Sequence, residues 1–230
     1  MPANDRMTNR RPRAGRGLAS IACAFSTALA AATLVLRVLD VPMLTVRLND
    51  DTTARLIKDS ELYGTAGARM GDARARVAIV LFSDFTCPAC GIAAARFRDA
   101  RLRHPTELAV VYRHIPLNDR AHGAAVVAEC GRRAGRFEEV HDALFRDANA
   151  LGARNWWSYG KEAGLSDSVA FSRCLSSDEA WRSVADDVRA ADSLMIDETP
   201  AFVLGGRLRV GVPTPQGLEY LLRRELRRKR

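Results

Sequence analysis

The sequence is short of cysteine. It has five in 230 residues, and only Cys87 and Cys90 stand close together. A zinc site takes four ligands, commonly from two close-spaced pairs. Cys23, Cys130 and Cys174 stand apart, and His104, His114, His122 and His141 are scattered. The missing second pair counts against zinc, and copper held by the same two thiols has nothing further to support it. No metal site is expected. Aromatic residues are also few, 7% of the chain, and none interleave with a basic stripe. The net charge is +8, but residues 1–17 carry +4 and residues 222–230 carry +5, which leaves −1 for the remainder. A neutral body with two basic ends argues against a nucleic-acid surface. Internal repeats are absent, and the length suits one domain with a core of its own.

Charge is missing altogether from Leu18 to Leu36, nineteen residues. As a helix this run is about 28 Å long, near the thickness of a bilayer's hydrocarbon core. Arg6, Arg10, Arg11, Arg13 and Arg16 precede it, so the positive-inside rule places the chain after Leu36 outside the cytoplasm. A buried helix of the domain is the plainer alternative, and the arginines and the alanine-rich run speak against it. Ala28-Leu29-Ala30 fits a signal-peptide cleavage site, yet the apolar run continues to Leu36. An uncleaved signal anchor is the expectation and a cleaved signal peptide the alternative. Either way the domain is expected to be periplasmic or otherwise extracytoplasmic, tethered to the inner membrane if the anchor stays.

What is present is Cys87-Pro88-Ala89-Cys90. It comes after the apolar run Val77 to Phe82, which reads as a buried strand. The residues after it, Gly91 to Arg98, read as a helix. Two cysteines three apart at a helix start lie about one turn from each other and can close a small disulfide. The first sulfur lies near the helix N-terminus, where unpaired N–H groups and the dipole favour a thiolate. A thiolate is what attacks disulfides. Pro88 suits the first turn, where a missing N–H costs nothing. Outside the cytoplasm disulfides persist. With Cys23 in the membrane run or removed with it, Cys130 and Cys174 are left with one intramolecular partnership. A second disulfide between them is the economical reading, and two separate buried thiols the alternative.

Residues 37–68 read as a connector, with a short helix from Thr53 to Tyr63, and the domain is expected to start near Met70-Gly71-Asp72. A strand over 77–83, a helix over 88–103 and a strand from Leu108 to Arg113 make a right-handed βαβ unit. Helices without a convincing strand fill 119–195. Strands at Pro200 to Leu204 and Arg207 to Gly211 flank Gly205-Gly206, which reads as a hairpin turn. A final helix carries Leu218, Leu221, Leu222 and Leu226. The order is β-α-β, a helical block, then β-β-α. This is an α/β thioredoxin fold with an inserted helical domain. Its parts are a basic region 1–17, the anchor or signal 18–36, the connector 37–68, a first half 69–118, the insertion 119–195 and a second half 196–230.

In that order, from about residue 70 onwards, the chain resembles the exported thiol-disulfide oxidoreductases of the DsbA type. The segments that carry the resemblance are Phe82 to Cys90, Tyr112 to Leu117, His122 to Cys130, Gly135 to Phe145 and Thr199 to Gly206. The resemblance implies that Cys87 is the exposed nucleophile and Cys90 the buried resolving thiol, with a redox-active disulfide as the only redox group and no cofactor. It implies that Thr199 and Pro200 form a cis-proline loop against the cysteine pair, where an extended substrate segment pairs with the Thr199 backbone. Pro88, Ala89 and Asp84 stand next to the pair, and Asp84 is read as a turn-stabilising residue ahead of a proton-transfer one. His114 and His122 match family positions, and a satisfied structural histidine is expected at each.

Two departures mark this chain. The dipeptide between the cysteines holds no histidine, which points to a milder oxidant. Leu81 stands where some members carry a buried glutamate, six residues before the first cysteine. The implied function is the introduction of disulfides into reduced or unfolded exported proteins. The implied partner is a membrane re-oxidant of the DsbB or vitamin-K-epoxide-reductase type, and a monomer is expected because 37–68 is short for a dimerisation domain. The alternatives are a reductase or isomerase kept reduced by a membrane donor, and a non-enzymatic metal-binding or chaperone module.

Overall fold

The computed structural model describes residues 54–58 and 60–230. In chain order it has β1 (Arg55–Leu56), a 3-10 turn (Ser60–Gly64), β2 (Ala68–Met70), β3 (Val77–Ser83), α1 (Pro88–Arg103), β4 (Leu108–His114) and α2 (Asp119–Arg133). Then come α3 (Phe137–Arg146), α4 (Trp157–Glu162), α5 (Ser168–Leu175), α6 (Asp178–Ser193), β5 (Ala201–Leu204), β6 (Arg207–Val210) and α7 (Pro215–Arg228). The six strands form one sheet in the order β1-β6-β5-β3-β4-β2. β3 and β4 run parallel in register from Val77 opposite Leu108 to Ser83 opposite His114. β5 lies antiparallel on the other side of β3. This is the thioredoxin fold with its helical insertion between β4 and β5.

The uncharged run in β3 forms the middle of the sheet because both of its faces are covered. Ile79 and Leu81 face one core with Val110 and Tyr112 of β4, Ala93 and Phe97 of α1, and Leu218, Leu221 and Leu222 of α7. Helices α2 and α3 extend that core through Ala124, Val127, Phe137 and Val140. Val80 and Phe82 point the other way, into a smaller core with Ala201, Val203, Leu208, Leu194 and Ile196. The alternation is the period of two expected of a strand. Gly205 and Gly206 both take positive φ, 61° and 76°, and make the tight turn between β5 and β6. A Cβ on Gly205 would collide with the Glu225 carboxyl group.

The sheet reaches into the segment read as connector. In place of the expected helix over 53–63, β1 pairs with β6, and Ile57 and Tyr63 pack on the smaller core. β2 pairs with β4 and closes the opposite edge, so the domain begins before Met70. Strands of two and three residues are too short to show a period in the sequence. Cys130 of α2 and Cys174 of α5 form a disulfide, with Cα atoms 5.8 Å apart. Among the described residues no helix is long and apolar enough to cross a membrane. The basic region 1–17, the apolar run 18–36 with Cys23, and the connector up to residue 53 lie outside the described residues.

Candidate active site

Cys87 is the N-cap of α1, with extended backbone angles (φ −86°, ψ 117°), and Pro88 is the first helical residue. The amide of Cys90 donates to the Cys87 carbonyl at 3.0 Å, closing the first turn. No acidic residue stands in that turn, so the positive end of the helix dipole is left for the Cys87 sulfur. Both cysteines are free thiols; Cys87 is half-buried and Cys90 fully buried. Pro88 is exposed at the rim and Ala89 half-buried. The Cys87 thiol donates to the Thr199 carbonyl oxygen at 3.5 Å. The Thr199–Pro200 peptide is cis. The turn between α6 and β5 thus lies against the start of α1, and residues 112 apart in sequence meet. In this dithiol form, the Thr199 carbonyl has the Cys87 thiol as its partner.

Cys90 lies behind Cys87. Burial pushes its thiol up to about 11, and the Asp84 amide, Ser83 and Thr199 pull it part of the way back. The Asp84 amide stands 3.5 Å from the sulfur. The Asp84 carboxylate is taken up by other partners. One oxygen accepts from the Thr86 amide at 2.5 Å and hydroxyl at 2.8 Å. The other accepts from the Leu117 amide at 2.9 Å. Asn118 bonds Thr86 Oγ1 at 2.9 Å and caps α2 through the Ala121 amide at 3.0 Å. Asp84 therefore ties the loop before α1 to the loop before α2, which is a structural task.

His114 differs from the satisfied histidine expected there. His114 is buried with no hydrogen-bond partner on either ring nitrogen. It packs among Phe85, Tyr112 and Phe137 at ring distances of 5.1 to 6.2 Å. Burial lowers its pKa to about 3. That strand position faces rings on three sides, and no acceptor reaches it. His122 stacks on Trp181 at 5.2 Å and lies half-exposed.

Sequence reasoning passed over a buried polar set beside the site. Asp187 of α6 accepts from Arg113 Nη1 at 2.8 Å and from the His114 amide at 2.9 Å. Burial raises Asp187 to about 6 in spite of these bonds. A signal existed: Ala180, Val184, Asp187 and Ala191 share the buried stripe of α6 at spacings of four, three and four. Ser83 and Tyr112 are buried as well, and their hydroxyls find no hydrogen-bond partner. Among the described residues no three histidine, cysteine or acidic side chains gather as metal ligands.

The family model described as Thioredoxin matches residues 65–224. Among curated proteins, the Na(+)/H(+) antiporter NhaA 3 of Salinispora tropica is 33% identical over 154 residues. That alignment takes in 66% of this chain and 23% of the antiporter. The chain spans less than a quarter of the length of the curated relatives first matched. Among solved structures, a thioredoxin-like oxidoreductase from Silicibacter pomeroyi superposes with a TM-score of 0.62 at 25% identity, covering 74% of this chain and 98% of that one. A periplasmic thioredoxin-like protein from Salmonella enterica gives 0.61 at 18%, covering 75% and 99%. The thiol-disulfide exchange protein alpha-DsbA2 from Wolbachia pipientis gives 0.59 at 19%, covering 69% and 86%.

Proposed function

Because the chain belongs to this thioredoxin family, we propose that it is an exported thiol-disulfide oxidoreductase that forms disulfides in reduced proteins through Cys87 and Cys90. One observation carries the reading. The half-exposed Cys87 sulfur sits at the uncompensated N-terminus of α1, against the Thr199 backbone, with a buried thiol one turn behind it. A substrate thiolate attacks Cys87 of the closed pair and forms a mixed disulfide. A second substrate thiol attacks the substrate sulfur of that bond. The substrate leaves with a disulfide and the protein with two thiols.

Export is supported by the arginine-flanked apolar run and by the likeness to a periplasmic protein. In that compartment the reduced protein needs an oxidant, and a quinone-coupled membrane protein of the DsbB or vitamin-K-epoxide-reductase type suits a tethered domain. The deciding experiment is the equilibrium of the Cys87/Cys90 pair against glutathione, run beside the oxidation of a reduced, unfolded protein. An oxidase is expected to sit near or above the potential of an oxidising compartment, roughly −200 mV. A pair far below that value, active only in reducing disulfides, would reverse the direction proposed.

A further inference from the structure

The buried hydroxyls of Ser83 and Tyr112 make no hydrogen bond within the fold. Ile79, Leu81 and Ser83 alternate onto one face of β3, and Val110, Tyr112 and His114 onto the same face of β4. The two strands are parallel and in register, with Leu81 opposite Tyr112 and Ser83 opposite His114. Cys90 on α1 is seated over this face, its sulfur held at 3.5 Å by the Asp84 amide. Ser83 and Tyr112 are 1% and 0% exposed, and neither hydroxyl has a hydrogen-bond partner. Native proteins rarely leave such groups unpaired, so each asks for a reason.

The reason lies in the charge that Cys90 carries only in passing. In the dithiol form Cys90 is neutral and offers a weak acceptor. We infer that Ser83, backed by Tyr112, stabilises the Cys90 sulfur by hydrogen bonding while it is a thiolate. In that step Ser83 is the donor to the reacting sulfur, and Tyr112 is a positioning residue that acts through it. Ser83 directly precedes Asp84, whose amide reaches the Cys90 sulfur, and it shares a sheet face with Tyr112 of the neighbouring strand, which puts it beside both. Leu81, the residue opposite Tyr112, has no polar group to take this part.

The inference rests on the exchange reading, and the step balances within it. A substrate thiolate attacks Cys87 Sγ, and a sulfur–sulfur bond forms between them. The Cys87–Cys90 bond breaks, and its electron pair leaves on Cys90 Sγ. The Ser83 hydroxyl donates to that sulfur and the Tyr112 hydroxyl donates to Ser83 Oγ. The thiolate then takes one proton from water and becomes the thiol. In the reverse direction Cys90 gives up the same proton before it attacks. Donors aimed at charge that exists only in transit act on the rate more than on the resting state.

The test is the rate at which dithiothreitol opens the oxidised pair, followed across pH 6–9, beside the alkylation rate of Cys87 in the reduced protein. Ser83→Ala is expected to slow opening about tenfold, the worth of one hydrogen bond to a charged group. Alkylation of Cys87 should stay within about twofold of the wild-type rate. Tyr112→Phe should slow opening less, and the double variant no more than Ser83→Ala alone. Ser83→Thr, which keeps the hydroxyl, should restore the rate. Opening at the wild-type rate in Ser83→Ala would overturn the inference and leave the exchange reading standing. So would equal slowing in Ser83→Ala and Ser83→Thr, which marks packing rather than donation. A wild-type pair inert to dithiothreitol would overturn the exchange reading and this inference with it.

Discussion

At the residue scale, the two cysteines differ in access more than in chemistry. Cys87 can be reached from solvent and Cys90 cannot. Cys87→Ser should abolish oxidation of a reduced protein, because the only sulfur of the pair that a substrate can reach is gone. Cys90→Ala should instead accumulate mixed disulfides, visible as added mass on non-reducing analysis. Full activity in Cys87→Ser would mean the nucleophile lies elsewhere. His114 and Asp187 make a second residue-scale pair, with opposite signs. The folded pKa of His114 is about 3, below its ordinary 6.5, so the unfolded chain binds its proton first. Stability is lost as pH falls from about 6.5 towards 3, by at most about 1.4 kcal/mol per pH unit. Asp187 is raised from 3.8 to about 6. Its contribution is present at low pH and is lost as pH rises through about 6. Between pH 4 and 6 the two therefore oppose each other. His114→Phe should be more stable at pH 5 than at pH 7, relative to wild type. Asp187→Asn should lose stability more steeply than wild type as pH falls over the same range. Urea midpoints at a series of pH values check both.

At the element scale, the reactivity proposed for Cys87 rests on α1. Its first turn holds Pro88, Ala89, Cys90 and Gly91 and no carboxylate. A charge of the wrong sign there opposes a thiolate by about 0.3–1 kcal/mol. Ala89→Glu should accordingly slow alkylation of Cys87 by about two- to fivefold at neutral pH and low salt. Ala89→Gln should not, and added salt should narrow the gap. A slowing equal in both variants would point to crowding at the rim. The loops at this end are held as one unit by Asp84, so the position of α1 relative to α2 depends on a carboxylate bonded to neither sulfur.

At the scale of the whole molecule, the Cys130–Cys174 bridge joins two helices of the insertion across 44 residues. Cys130 is buried against the main core. Replacing both cysteines with alanine should lower stability by about 2–4 kcal/mol. Urea unfolding measures this, with the wild type under non-reducing conditions as reference. The Cys87/Cys90 pair, in a different part of the fold, should keep its alkylation rate. If that rate changes in step with stability, the insertion also shapes the active site.

The sequence by itself determined the central unit and its chemistry. The uncharged run Val77 to Phe82, the Cys87-Pro88-Ala89-Cys90 junction and the Gly205-Gly206 turn each come from local rules, because strand burial, helix starts and tight turns depend on neighbours in the chain. The buried stripe of α6 was legible too, although its one acid, Asp187, was not read as a core residue. Only tertiary structure decided the rest. β1 and β2 exist because β6 and β4 offer edges to pair with, and nothing in two or three residues announces that. The meeting of Cys87 with Thr199 depends on the sheet order. So do the neighbours that leave His114 without a partner and Ser83 beside Cys90. Contacts between residues far apart in sequence are settled by packing, and packing leaves no period along the chain to read.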